Sequence, residues 1–288
     1  MNAITGRTAF FAWPVDGRTR ALDEASKQLS ALIDELHSEN LRLGAELEAA
    51  RQIQMMLLPQ PCELEAIPGV EIAAFMRPVH EVGGDYYDVL QSDSRVKIGI
   101  GDVTGHGLES GMLMLMVQSA VRALHEAGER DPRRFLDRLN RAMYKNIART
   151  VCGKHLSLGF LDLDDRRVTV SGQHEEVVIV RADGSVDRID TVDLGLPIGL
   201  EPDILPFVAT RDIAFDNGDV IVLHTDGVTE AEGPSGRLFG LERLCESARR
   251  HRGGTADEIR KRIVADLMAH IGTQKIHDDI TLIVMRHR

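Results

Sequence analysis

Between Leu22 and Leu58 the chain contains no proline and one glycine, Gly44, while Leu22, Leu29, Leu36, Leu43, Ala50 and Leu57 recur every seven residues. A seven-residue apolar repeat marks one face of an α-helix, because helical turns of about 3.6 residues bring those positions nearly into line. Ser26, Ile33, Asn40, Leu47 and Gln54 complete the seam. Asn40 stands where a buried polar residue commonly fixes the register of a parallel two-stranded coiled coil. The expectation is a dimerising helix over 21–58, preceded by an unassigned segment 1–20. Gly44 lies beside the seam and costs roughly 1 kcal/mol relative to alanine, which weakens the helix without breaking it. The alternative for such a helix is to lie singly on the globular domain.

Beyond Pro59-Gln60-Pro61 the periodicity changes to short β-branched runs broken by Gly and Asp. Strands are predicted at Val70–Met76, Val96–Val103, His155–Leu163, Arg167–Ser171, Val177–Arg181, Val220–His224 and Ile280–Met285. Helices are predicted at Leu108–Ala127, Asp131–Thr150, Leu241–Arg250 and Thr255–His270. Strands grouped in succession, with helices between some of them, fit one domain over 62–288 with sheets covered by helices better than a regular βαβ alternation. The 43% hydrophobic content of the 288 residues is enough for one sizeable core.

Charge and cysteine usage exclude several classes of function. A formal net charge of −11 without an evident basic patch argues against nucleic acid or an anionic membrane surface as partner. Cys62, Cys152 and Cys245 lack the paired spacings of zinc sites or disulfide frameworks, and read as reduced thiols of a cytosolic protein. The apolar run Ala9–Trp13 is too short for a signal-peptide core, and no stretch approaches the ~20 apolar residues that span a bilayer. A soluble, cytoplasmic protein is expected.

Four acidic motifs place an Asp beside glycine or at a predicted strand end, where a loop tip holds a carboxylate rigidly. They are Gly83-Gly84-Asp85-Tyr86-Tyr87-Asp88, Gly101-Asp102-Val103-Thr104-Gly105-His106-Gly107, His224-Thr225-Asp226-Gly227 and His277-Asp278-Asp279-Ile280-Thr281. Any one of the 45 acidic residues is ordinarily a turn or helix-cap residue, so the weight rests on all four together. Oxygen ligands without a Cys or His cluster suit hard cations such as Mg²⁺ or Mn²⁺. Two such ions about 3.5–4 Å apart orient and deprotonate a bridging water and draw charge from a phosphoryl group, which is the chemistry of phosphate ester hydrolysis.

In this order the motifs resemble the metal-dependent protein phosphatases of the type 2C superfamily, specifically the bacterial branch named after sporulation stage II protein E. The resemblance runs from about Leu47 to Met285. It takes in the helix ending Leu57-Leu58-Pro59, Arg77-Pro78, Val82-Gly83-Gly84-Asp85 and Asp278-Asp279-Ile280-Thr281. It implies an α+β fold, an α-β-β-α sandwich of two packed, mainly antiparallel sheets flanked by helices, behind the N-terminal coiled-coil helix. It also implies two divalent ions, Mn²⁺ or Mg²⁺. Asp102 would bridge both, with the backbone carbonyl of Val103 in the same site; Asp85 would complete the first ion's ligands. Asp226 and Asp278 would hold the second, with Asp279 as the alternative within the Asp-Asp pair. Gly105, His106 and Gly107 would shape the loop. The implied substrate is phosphoserine or phosphothreonine in a protein, in this branch usually a small STAS-domain antagonist of an anti-sigma factor. The leading helix would act as a dimerising switch, open to an upstream regulator protein.

Where relatives carry an Ala-Gly-His-Pro-like turn, this chain reads Ser171-Gly172-Gln173-His174-Glu175, and no residue is marked as general acid by its spacing. His106 reads equally as a partner of a metal ligand or as an ordinary loop histidine. Met112, Met114 and Met116 are expected to fill the core, Tyr86-Tyr87 to pack within a strand, and Arg133, Arg134, Arg138 and Arg141 to lie on a solvated helix face. Gly83-Gly84-Asp85 also resembles part of the Gly-Gly-Asp-Glu-Phe signature of diguanylate cyclases, but Tyr86-Tyr87 replaces Glu-Phe and the other three motifs have no place there. A noncatalytic phosphatase-like scaffold is the other rival. The filled acidic positions speak for activity.

Overall fold

A computed structural model describes residues 15–65, 67–79, 82–92, 95–105, 107–150, 153–164 and 166–288. His106 and Cys152 lie outside the described residues. In chain order the elements are α1 (Val15–Leu57), α2 (Pro61–Glu65), β1 (Val70–Arg77), β2 (Tyr86–Ser92), β3 (Arg95–Val103), α3 (Leu108–Glu126) and α4 (Pro132–Thr150). They continue with β4 (Leu156–Asp164), β5 (Arg167–Gln173), β6 (Val177–Val180), β7 (Val186–Ile189), β8 (Thr210–Ala214) and β9 (Val220–His224). The chain closes with α5 (Asp226–Thr229), α6 (Gly240–His251), α7 (Ala256–Ile271) and β10 (Ile280–His287). No helix among the described residues is long and apolar enough to cross a membrane.

Two compact units divide the chain, Met1–Leu47 and Glu48–Arg288. Within the first, the apolar repeat of α1 faces solvent: Leu22, Leu29, Ile33 and Leu36 are 68%, 59%, 55% and 62% exposed. Arg42 braces this stretch locally through Glu39 and Glu46, one turn away on either side.

The second unit is built on two five-stranded sheets, ordered β1-β10-β9-β6-β7 and β2-β3-β4-β5-β8, with every neighbouring pair antiparallel. Alternation along the strands gives each sheet two apolar faces. The inner faces meet in one core, to which Ile98, Ile100, Leu161 and Val170 contribute from one sheet and Ile72, Ile179, Ile221, Leu223 and Ile283 from the other. The outer face of the first sheet, through Val178, Val220, Val222 and Leu282, packs on α6 and α7. That of the second, through Tyr86, Leu158 and Phe160, packs on Leu113, Met114 and Val117 of α3 and Phe135 and Leu139 of α4. Burial on both faces explains why β9 reads Val-Ile-Val-Leu without polar alternation.

These layers form the expected α-β-β-α sandwich. Of the three methionines on α3, Met114 is fully buried and Met116 partly so, as a core role requires, but Met112 is exposed. On α4 the arginines carry local ion pairs, Arg138 with Glu129 and Arg141 with Asp137, and remain largely solvated.

Candidate metal centre

Antiparallel pairing brings the four acidic motifs to one end of the sandwich. Asp85 immediately precedes β2, Asp102 sits near the end of β3, Asp226 follows β9 after one residue and Asp278 lies just before β10. The two sheets are tied together at this end by hydroxyls. Thr225 and Thr281 both donate through Oγ1 to Asp85 Oδ2, at 2.9 and 2.5 Å. The backbone N–H of Thr281 donates in turn to Thr225 Oγ1 at 3.1 Å. Thr225 and Thr281 stand in the quoted motifs, but spacing alone gave them no role; their position beside each motif's Asp was the available signal.

The Asp278-Asp279 pair, left open by the sequence, is divided in the structure. Asp279 is buried, and both its oxygens are engaged by backbone: Oδ1 accepts from the Val79 N–H and Oδ2 from the Gly84 N–H, each at 2.7 Å. Gly83 must be glycine beside this carboxylate, since a Cβ there would lie 2.6 Å from Asp279 Oδ2. Gly227 is constrained more tightly, with a Cβ falling 1.9 Å from the Asp279 carbonyl oxygen. Asp278 is exposed and makes a local bond, accepting the Asp279 N–H on Oδ1 at 2.8 Å.

Around Asp102 the loop is held by polar contacts. Gly105 and Gly107 have φ of +76° and +91°, a region that L side chains rarely adopt. Lys154 Nζ donates to the Thr104 carbonyl at 3.1 Å and to Ser110 Oγ at 2.9 Å, and Ser110 Oγ donates to the Gly105 carbonyl at 3.0 Å. The Val103 carbonyl oxygen lies 3.0 Å from where a Cβ on Gly84 would sit, so the absence of a side chain at Gly84 permits the close approach of the two motifs. On α1, Gln54 is fully buried and bonds Gly83 both ways, donating to its carbonyl at 2.8 Å and accepting from its N–H at 3.1 Å. Its place in the heptad predicted a seam residue, and the structure assigns it to the Gly83-Gly84-Asp85 loop instead.

Electrostatically this end is under tension. Burial, reinforced by the charges of Asp226, Asp278 and Asp279, pushes the Asp102 carboxyl up to about 8. Burial and then Asp102 raise Asp85 well above the usual carboxylate range; burial and then Asp278 raise Asp226. Asp226 Oδ1 is buried without a hydrogen-bond partner among the described residues. Among those residues no three His, Cys, Asp or Glu side chains close on a single point. The donors at this end are all oxygens, the type that hard divalent cations take, one or two carboxylates each with several waters.

A helix-flanked pair of antiparallel sheets carrying aspartates at one end is the fold of PP2C-type domains. Within that class the chain belongs to the SpoIIE family: the family model of stage II sporulation protein E matches residues 92–288. The chain is 29% identical over 248 residues to phosphoserine phosphatase RsbU of Bacillus subtilis, spanning 85% of this chain and 71% of RsbU. Its fold is similar to the SiaA-PP2C domain of Pseudomonas aeruginosa, with a TM-score of 0.75 at 24% identity over 86% of this chain and 98% of that one. A more distant structure, the catalytic domain of the phosphatase PstP in complex with two manganese ions, has a TM-score of 0.55 at 16% identity over 75% of this chain and 97% of that one.

Proposed function

We propose that this chain hydrolyses phosphoserine or phosphothreonine in a protein substrate, using two divalent ions, Mn²⁺ or Mg²⁺, held by the aspartates at the end of the sandwich. The observation that carries the reading is the cluster itself: carboxylates from both sheets lie in one another's field, and Asp226 Oδ1 is buried without a partner among the described residues. Uncompensated like charges at such density are costly unless a cation joins them. Asp85, Asp102 and the Val103 carbonyl would hold the first ion, and Asp102, Asp226 and Asp278 the second. Asp279, occupied by the Val79 and Gly84 N–H groups, acts as a loop clamp and is the weakest candidate for a direct ligand.

When bound, the ions supply Lewis acidity, acidifying the attacking water and neutralising charge on the phosphoryl group. The chain's own groups do the positioning. Thr225 and Thr281 fix Asp85 Oδ2 by hydroxyl donation, and Lys154 and Ser110 hold the Thr104-Gly105 backbone beside Asp102. Phosphate release from a phosphoserine peptide is expected with Mn²⁺ or Mg²⁺ and not with EDTA. A folded protein that binds Mn²⁺ yet releases no phosphate from any phosphoprotein would instead be the scaffold.

Family resemblance supports a STAS-domain phosphoprotein as the substrate. The exposed leucines of α1 support a homodimer through that helix, with a regulator protein acting on it. Sedimentation velocity of the full chain should give a dimer, and Leu29→Glu combined with Leu36→Glu should give a monomer of unchanged helical content. A wild-type monomer at micromolar concentration would remove the dimer from this reading.

A further inference from the structure

His174 stands at the turn where this chain departs from its relatives' wording, just past the end of β5. Its backbone is pinned by Thr191: the His174 N–H donates to Thr191 Oγ1 at 2.9 Å, and the Thr191 hydroxyl donates to the His174 carbonyl. Its ring reaches across the sandwich. Nδ1 lies 2.9 Å from Ser157 Oγ on β4, and Nε2 lies 3.1 Å from the His224 carbonyl at the end of β9. Ser157 is the ladder partner of Asp102, with Oγ 3.4 Å from the Asp102 carbonyl. His224 precedes Asp226 by two residues.

One tautomer satisfies both contacts of the ring, and it commits the single Ser157 hydroxyl hydrogen to Nδ1, so the 3.4 Å approach of Ser157 Oγ to the Asp102 carbonyl is then a contact without a hydrogen. With the hydrogen on Nε2, the ring donates to the His224 carbonyl and accepts the Ser157 hydroxyl on Nδ1. The opposite tautomer would set the Nε2 lone pair against a carbonyl oxygen. Burial, which holds the ring's pKa down to about 3, keeps it neutral.

We propose that His174 is a positioning residue for the metal centre, a neutral strut between the two sheets that sets the separation of Asp102 from Asp226. The inference rests on the reading that these aspartates hold divalent ions. Asp102 comes from one sheet and Asp226 from the other, and their charges repel. Backbone pairing within each sheet cannot fix the distance between sheets at this end. The threonine hydroxyls on Asp85 tie the sheets beside the first motif, and His174 adds a polar strut from His224, two residues before Asp226, to Ser157 on β4, whose ladder partner on β3 is Asp102; it bonds neither carboxylate.

The test is Mn²⁺ affinity, read from the electron paramagnetic resonance signal of the free ion, alongside the thermal midpoint of the metal-free protein. His174→Leu should weaken Mn²⁺ binding by about 10–100-fold, the range found when the outer partners of metal ligands are removed. His174→Gln, whose amide offers one acceptor and one donor, should stay within about threefold of wild type. Adding Ser157→Ala to His174→Leu should cost nothing more, because the two act in series. Wild-type affinity in His174→Leu, or equal loss in the Leu and Gln variants, would overturn the strut, the latter showing that only the ring's shape matters. Should His174→Leu fail to fold, His174→Asn takes its place: it lacks the reach to His224, and wild-type affinity there would be equally fatal. A wild-type protein that binds no Mn²⁺ overturns the metal centre and the strut with it, whereas Mn²⁺ binding without phosphatase activity overturns only the catalytic reading.

Discussion

Asp102→Ala is expected to lower metal-dependent phosphate release by roughly a thousandfold or more, because each tenfold in rate is about 1.4 kcal/mol and a metal ion's charge stabilisation is worth several. Asp102 is the residue on which the other carboxylates converge: Asp226, Asp278 and Asp279 all act on it, and it acts on Asp85. In the proposed centre Asp102 would serve both ions and its loss would disable both, whereas Asp278→Ala removes one exposed carboxylate and should be milder. The same position carries an opposite prediction for stability. In the metal-free protein at neutral pH, Asp102 must take up a proton that the unfolded chain does not hold, or else carry a charge among like charges, so Asp102→Asn removes that cost and should raise the EDTA-treated melting temperature by about 2–4 °C for each kcal/mol recovered. Added Mn²⁺ should stabilise wild type and leave Asp102→Asn nearly unmoved. Calorimetry with and without Mn²⁺, run beside the rate assay, checks both halves. Undiminished turnover in Asp102→Ala would refute the ligand assignment, and a less stable metal-free Asp102→Asn would refute the frustrated cluster.

The central strands were legible because they are covered on both faces. Val220–His224 matches its sequence-based bounds, and the other predicted strands differ from theirs by three residues or fewer. Two strands escaped, β7 and β8, and β2 was expected only at Tyr86-Tyr87; all three lie at a sheet edge. An edge strand with a solvated side tolerates charge, and β7 reads Val-Asp-Arg-Ile while β8 reads Thr-Arg-Asp-Ile-Ala, so neither presents a β-branched run. For β2 the strand expected at Tyr86-Tyr87 is present, with both tyrosines buried, while its run on to Ser92 is broken in sequence by Asp88. At the site, the aspartates were visible because carboxylates at loop tips leave a pattern in one dimension. The groups that orient them are not visible that way. Thr225, Thr281, Ser157 and His174 work through contacts over 17 to 196 residues of sequence separation, and only the pairing of strands brings them together. Asp278 and Asp279 could not be told apart from spacing, because their difference lies in which backbone N–H groups face each.

Gln54→Leu should cost more activity than its position on a helix would imply. The heptad reading made Gln54 one polar seam residue among several; the structure makes it the bond between α1 and the loop that carries Asp85. Leucine nearly conserves the volume but leaves the Gly83 N–H and carbonyl buried without those partners, at about 1–3 kcal/mol for each group. The loop cannot recover by shifting toward Asp279, since Gly83 already has no room for a Cβ on that side and the Gly84 N–H is committed to Asp279 Oδ2. It is therefore expected to move away, carrying Gly84 off the Val103 carbonyl and Asp85 off its threonine donors. Phosphate release should fall at least about tenfold, consistent with the 1.4 kcal/mol that one decade requires. Amide hydrogen exchange separates this from general destabilisation: Gly83 and Gly84 should exchange faster in Gln54→Leu while the central amides of β3 and β9 keep their protection. Leu36→Glu supplies the contrast, because it alters the exposed face of α1 without touching Gly83. If Gln54→Leu keeps wild-type activity and wild-type exchange at both glycines, the amide is only a space-filler, and the end of α1 has no hold on the centre. If instead the exchange rises and the rate falls together, the last turns of α1 and the Asp85 loop form one mechanical element, and whatever displaces that helix end controls the metal site.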